Sequence, residues 1–358
     1  MPTPLLPEPV RCTAAWCVVI LLVSAVVAVA VWLAVTFRTA VTAVLLALLG
    51  AALLGPLYRR LVALHVNRSV AAGLTCAAIV AVFGGAGYIV VSALIDTGDQ
   101  IVASLRRAVR DLSATLGAPG TTLDDLITHA QELLGGIGGG TASRVISGIG
   151  VVGQVITVAL LALLLVFFFL RDSGRAVDAL RSLGPASTGD TVEAMARRAF
   201  AAVEGFMRGT TLIALIDAAF ITVGLVILKV PGYVGLGALV FIGAYIPYLG
   251  AFISGAVAVL VALADRGFAI ALWALGIVLA VQVLEGNILQ PMIQSRTVHI
   301  HPAVVLVALT MGASVAGIVG MLLAVPLTAA AFGVVGELRR TYEGRPSTGP
   351  GASSTSGT

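Results

Sequence analysis

Eight stretches without a charged side chain organise this 358-residue chain: 12–37, 39–58, 69–95, 145–170, 209–228 (broken only by Asp217), 230–264, 267–284 and 297–336. A helix needs about 20 apolar residues to cross a bilayer core, so most of these runs suit one crossing. Two are too long. The runs 230–264 and 297–336 hold 35 and 40 residues. As continuous helices they would reach roughly 52 and 60 Å, against a core of about 30 Å. Each must break, and the sequence marks where. Pro247-Tyr248-Leu249-Gly250 lies in the middle of the first, and Gly312, Gly317 and Gly320 lie in the middle of the second. Each run therefore reads as two short arms around a turn, a re-entrant helical hairpin. Irregular backbone at membrane depth is tolerated only where it is buried in protein or lines a watery cavity. The expected fold class is an all-α integral membrane protein of about six crossing helices and two re-entrant hairpins.

Charge makes up 11% of the residues, against about 25% in a soluble domain. Apart from Asp217 it is confined to the segments between runs, and it orients them. Arg59, Arg60 and Arg68 flank one loop, six Arg occupy 171–208, and Arg339, Arg340 and Arg345 lie near the C-terminus. The positive-inside rule makes these cytoplasmic, together with both termini. The segment 96–144 has six acidic residues against four Arg and falls outside. Arg11 ahead of an apolar run raises a signal peptide, but 12–37 is uncharged for 26 positions and a signal core is typically 7–15 residues, so the run reads as a membrane helix. The expected location is a bacterial inner membrane.

The chain thus divides into N-terminal membrane helices (1–95), an extracytoplasmic helical segment (96–144), a membrane helix (145–170), a cytoplasmic amphipathic segment (171–208), a core with two hairpins (209–336) and a tail (337–358) expected to be disordered. Outside, Ile101, Leu105, Ala108, Leu112 and Leu116 recur at helical spacing. Inside, Asp190 and Glu193 resemble a capping box ahead of a helix with Val192, Ala196, Ala199, Val203 and Phe206 on one face. Within the core the order is crossing, hairpin, crossing, hairpin. If the first hairpin does not cross, the second unit starts on the opposite side, which is an inverted-topology repeat of the kind secondary transporters use.

Several function classes lack residues. No HExxH, GxSxG or Walker A pattern occurs, so metalloprotease, hydrolase and ATP-driven readings have no chemistry to stand on. The basic residues form no stripe with interleaved aromatics of the kind nucleic acid requires. Cys12, Cys17 and Cys76 lie in or beside apolar runs and read as small hydrophobes. His299 and His301 have no third ligand nearby in sequence, and His301-Pro302 reads as a helix start. No metal and no cofactor is expected.

The stretches Tyr245-Ile246-Pro247-Tyr248-Leu249-Gly250-Ala251, Leu284-Glu285-Gly286-Asn287-Ile288-Leu289-Gln290-Pro291, His301-Pro302, Gly317-Ile318-Val319-Gly320 and Ala324-Val325-Pro326 resemble the autoinducer-2 exporter family. The likeness is strongest from about 205 to 336 and mostly hydropathic in 12–170. It implies several membrane helices plus two hairpins, a homo-oligomer (a pentamer), an elevator-like movement of the hairpin region, and export of small polar molecules such as the autoinducer-2 quorum-sensing signal. Some members of the family are associated instead with sodium/proton exchange. A non-transporting scaffold, with 171–208 as its contact surface, is a further alternative.

Candidate site residues follow. Asp217 is the one charge inside a crossing helix, and a membrane-buried carboxylate is by default a functional hypothesis; it reads as a coupling-proton or cation site, or as a carboxylate paired at a helix contact. Glu285, Asn287 and Gln290 offer a carboxylate and two amides to a small polyhydroxylated solute, with Asn287 and Gln290 sharing a helical face; the plainer reading is capping before Pro291, where the helix would stop. Pro247 and Gly250 shape the first hairpin tip, Gly312, Gly317 and Gly320 the second, through backbone exposure or simple close packing. Pro326 is expected to kink the last arm.

Overall fold

The computed structural model describes scattered positions within 17–37, then residues 38–93, 142–172, 189–294 and 301–343. The helices expected within 96–141, the loop 173–188, His299 and the tail beyond 343 lie outside the described residues, and the first apolar run does so in part. Among the described residues the regular structure is entirely helical. In chain order it comprises α1 (Arg38–Ala63), α2 (Arg68–Ile79, prolonged by a π turn at Val80–Gly84), α3 (Ala142–Arg171), α4 (Gly189–Ile227), α5 (Tyr233–Gly243), α6 (Leu249–Arg266), α7 (Phe268–Leu284, prolonged by a π turn at Glu285–Leu289), α8 (Gln290–Gln294) and α9 (Pro302–Glu343). Seven helices among the described residues are long and apolar enough to cross a membrane. In lipid a helix satisfies its own backbone, which suits a chain with so few charged residues.

Both over-long runs break where expected. The first folds back on itself. Residue Lys229, at φ 52°, terminates α4: its N–H donates to Val226 O at 2.9 Å, and the Val230 N–H donates to Leu225 O at 2.9 Å. These are the paired bonds of a left-handed helix stop. The chain then climbs α5, turns through Ala244–Tyr248 and descends α6. At the base the Arg266 guanidinium donates to Lys229 O, from Nε at 3.0 Å and from Nη2 at 2.9 Å. The two ends of the run therefore sit side by side. Helix α5 has 11 residues, a reach of about 16 Å, half the thickness of a bilayer core.

The second run breaks inside α9. Ala316 (φ −140°, ψ 23°) and Gly317 (φ 57°, ψ −137°) are non-helical, and the latter pair of angles is one that glycine alone adopts without strain. The break reverses the chain: a Cβ placed on Gly312 would meet the Gly320 backbone, and Ala324 Cβ at 3.1 Å, neighbours that a continuous helix would hold far apart. The first arm, 302–315, spans about 21 Å and the second, 318–343, about 39 Å. Both hairpins close on a pair of facing glycines, Gly243 with Gly250 and Gly312 with Gly320.

The amphipathic segment ending at 208 and the crossing 209–228 are a single 39-residue helix, α4, about 58 Å long. Asp190 lies in its first turn, where the helix dipole favours negative charge. Arg197 Nε donates to Glu193 at 2.6 Å, and Glu204 accepts from both Arg208 and Arg59, the latter on α1.

Three of the four apolar clusters among the described residues set how the helices pack, the fourth being Leu309, Ala324 and Val325 within α9. Ala47, Ala51, Ala72, Cys76, Val166 and Leu170 bind α1, α2 and α3 into one body. Ile221, Leu225, Val240, Val261, Ala274 and Val281 bind α4 to α5, α6 and α7. A third cluster joins the two bodies, with Leu49 and Ala52 against Val203, Met207, Ala214, Tyr245 and Leu323. At this junction the π turn of α2 carries Phe83, whose ring lies 5.4 Å from Tyr245 and 6.0 Å from Phe241.

Candidate functional site

A cavity of about 500 Å³ lies between α4, the tip of the first hairpin, the C-terminal end of α7 and both arms of the second hairpin. Its floor is one stripe of α4: Phe206, Thr210, Ile213, Asp217 and Ile221 follow at intervals of three and four residues, one helical face. Ile246, Pro247 and Tyr248 of the first hairpin tip close one side, followed by Ala251 and Ser254 on α6. Gln282, Glu285, Gly286 and Gln290 form the opposite side, and Pro302, Val305, Val325 and Ala329 come from α9.

The tip is held in place by specific contacts. Tyr245, 7% exposed, hydrogen-bonds through its hydroxyl to Thr211 Oγ1 on α4 at 2.9 Å. Gly250 packs against Gly243 so closely that a Cβ there would lie 2.8 Å from Gly243 Cα. Tyr248 sits at φ 64° and ψ −56°, with the Leu249 N–H donating to Pro247 O at 2.7 Å, a γ-turn that is rare and strained.

The polar groups of the cavity are few and specific. Asp217 is 4% exposed and its Oδ1 has no hydrogen-bond partner among the described residues. Its carboxyl faces that of Glu285 closely enough to interact with it. Gln290 Nε2 donates to Glu285 Oε1 at 3.2 Å. Thr210 Oγ1 is buried beside them, again without a partner among the described residues. A buried polar group normally finds a partner, so two such atoms set this cavity wall apart. The π turn at Glu285–Leu289 contributes directly, because π turns cluster at functional sites and this one inserts an extra residue between Glu285 and Gln290. Both side chains thereby meet at the cavity, which α-helical spacing would not arrange.

The expected residues separate accordingly. Asp217, Glu285, Gln290 and Pro247 line one cavity. Asn287 does not line it; its amide donates to Val283 O at 2.9 Å, and the π turn removes the face it was expected to share with Gln290. Helix α7 does not stop before Pro291 either, since the π turn hands over to α8 with Pro291 in its first turn. Gly250 braces the tip from behind, while Gly312, Gly317 and Gly320 shape the second hairpin. Pro326 is fully buried within α9, next to the cavity-lining Val325. His301 starts α9, its Nδ1 accepting from the Ala303 N–H at 3.2 Å. Thr210, Ser254, Gln282 and Tyr248 also line the cavity and were not singled out from sequence. The i,i+7 spacing of Thr210 and Asp217 and the i,i+3 spacing of Gln282 and Glu285 were the signals available. Among the described residues no group of three or more His, Cys, Asp or Glu side chains is placed to hold a metal ion.

Known proteins share this plan in sequence. Residues 18–340 match the family model described as "AI-2E family transporter". A Mycobacterium tuberculosis protein named "Putative transport protein MT0215" is 35% identical over 325 residues, covering 89% of each chain. The Bacillus subtilis proteins YrrI and YueF, which carry the same kind of name, are each 31% identical, over 58% and 50% of this chain and 57% and 48% of their own. The match spans α1 to α8, both hairpins and every cavity-lining residue, and with it the chain belongs to the AI-2E transporter family.

Proposed function

We propose that the chain is a secondary transporter of the cytoplasmic membrane that exports a small polar solute, of the class represented by the autoinducer-2 signal, through the cavity beside Asp217. The observation that carries the reading is the pair of buried, unpartnered polar atoms, Asp217 Oδ1 and Thr210 Oγ1, on the wall of a cavity closed by two helical hairpins. A carboxylate at membrane depth costs several kcal/mol, and a protein retains it where something passing through compensates it.

The clusters support an elevator-like movement. Helices α1 to α3 form one body through their own apolar contacts, α4 to α7 form another, and the junction between them carries a separate set. With the Arg-rich segments inside, Lys229 and Arg266 lie outside, and the first hairpin reaches in from that face as the second reaches out from the cytoplasmic one. A self-contained core displaced along the scaffold would carry the cavity from one face to the other without ATP, driven by the solute gradient or a coupled ion. A homo-oligomer held through the scaffold body fits the same movement. The test is flux: proteoliposomes containing the purified chain, loaded with a panel of small solutes including the autoinducer-2 precursor, should release at least one faster than protein-free vesicles, and release of none overturns the reading.

A second reading, sodium/proton exchange, is favoured by the facing carboxyls of Asp217 and Glu285. It predicts that a sodium gradient imposed on the same vesicles drives a change in internal pH in the absence of any organic solute.

A further inference from the structure

The lining of the cavity carries a charge imbalance. Asp217 and Glu285 bring two carboxyls to one wall, facing each other, and no Lys, Arg or His is among the described residues lining it. The amide that donates to Glu285 Oε1, that of Gln290, is neutral. Thr210 Oγ1, 6% exposed and without a partner among the described residues, adds an independent oxygen on the same face of α4. An uncompensated buried carboxylate is costly, and breaking off its counter-charge more costly still. A cation supplies a counter-charge that the lining lacks, and an anion would be repelled by it.

Size and apolar lining decide what kind of positive charge fits. A bare metal ion needs a shell of oxygens at about 2–2.6 Å, which a few atoms provide. Here the volume is about 500 Å³ and most of the remaining wall is hydrocarbon, including Ile213, Ile221, Val240 and Val305. Volumes of that order hold an organic molecule, with a few polar groups fixing its orientation. Phe206 and Tyr248 add aromatic rings to the lining, and ring faces attract organic cations.

We propose that the solute recognised by this cavity is a small organic cation: a primary ammonium group set between Asp217 and Glu285, accepted also by Thr210 Oγ1, with an alkyl stem along the apolar wall. The proposal rests on the cavity being the solute path, and it departs from an autoinducer-2-like solute by assigning a positive charge.

The test uses the full-length chain in lipid nanodiscs and a matched four-carbon set: butylammonium, 1,4-butanediol and butyrate, with sodium chloride as a fourth arm, at constant pH and ionic strength. Ligand that binds the folded state alone raises the unfolding midpoint in proportion to occupancy. Butylammonium is expected to raise it saturably, and the other three are not. Asp217→Asn and Glu285→Gln, each near-isosteric, should each weaken the butylammonium response about tenfold or more, the range for losing a charged hydrogen bond, while their ligand-free midpoints stay at or above that of the unsubstituted chain. A response to sodium alone overturns the proposal in favour of an inorganic cation. A response to butanediol equal to that of butylammonium overturns it in favour of a neutral solute, and so does a butylammonium response that survives both substitutions. The two readings fail separately: neutral solutes released from vesicles with no butylammonium response sink this proposal alone, whereas a response in a chain that releases no solute sinks the transport reading alone.

Discussion

Substituting Gly250 by alanine isolates the contact that closes the first hairpin. The added Cβ would lie 2.8 Å from Gly243 Cα and closer still to its carbonyl, against an ordinary carbon separation of about 3.5–4.0 Å. The carbonyl contact is the tightest, so the arms must part by about 1.5 Å, which forfeits about half or more of the dispersion energy across the gap. Overpacking of this kind costs about 1–3 kcal/mol, and rigid backbone on the far side places Gly250→Ala near the upper end. Gly243→Ala is the milder partner, its Cβ meeting Gly250 O at 3.0 Å and Gly250 Cα at 3.3 Å; a few tenths of an ångström of give suffice, and the expected cost is about 1 kcal/mol. Gly276 on α7 is exposed and has no neighbouring atom within 4 Å, so Gly276→Ala should be neutral or gain up to about 1 kcal/mol of helix propensity. Thermal unfolding of the four proteins in one detergent should therefore rank Gly276→Ala at or above the unsubstituted chain, then Gly243→Ala, then Gly250→Ala. Equal midpoints for Gly250→Ala and Gly276→Ala would refute glycine-on-glycine closure of the hairpin.

Asp217→Asn is expected to abolish or uncouple solute release while leaving the yield of folded protein unchanged; unaltered flux would reduce Asp217 to a packing residue. Gln290→Ala should raise the half-saturating solute concentration and Asn287→Ala should not, because only Gln290 lines the cavity; the reverse order, read from initial flux rates, would move the site. Tyr245→Phe removes the hydrogen bond to Thr211 and should cost about 0.5–1.5 kcal/mol in the same unfolding assay, an effect absent in a Thr211→Val background. Single cysteines at Arg266 and Ser295 in a cysteine-free chain should label with an impermeant thiol reagent on intact cells at Arg266 only. Labelling at Ser295 alone would remove the re-entrant hairpins.

The hairpins were legible because they follow from length. A bilayer limits how long an apolar helix can run, and Pro247, Gly250 and Gly317 are residues whose backbone preferences show in a bare sequence. Asp217 was legible for a related reason, since one charge in an apolar run has no cheap explanation. The continuity of α4 was hidden because the change from charged to apolar residues near 208 marks an edge in composition, not the end of a helix. Hydrogen bonds along a helix axis pass that edge without interruption. The π turn at Glu285–Leu289 was equally hidden: one inserted residue leaves no compositional trace, yet it separates Asn287 from Gln290. Thr210, Ser254 and Gln282 went unremarked because neutral polar residues are tolerated at many helix positions, and only the approach of distant elements makes them a wall.

The length of α4 has a mechanical consequence. Glu204, held by Arg59 of the scaffold, and Asp217 sit on one unbroken rod, about 20 Å apart along its axis. A rod pinned near one point and loaded at its far end behaves as a lever. A tilt of about 10° about Glu204 would carry Asp217 sideways by about 3 Å, taking the 1.5 Å rise per residue, a distance comparable to one hydrogen bond. Whatever pulls on the Gly189 end is thereby felt at the carboxylate, and a ligand seated on the carboxylate pulls back on that end.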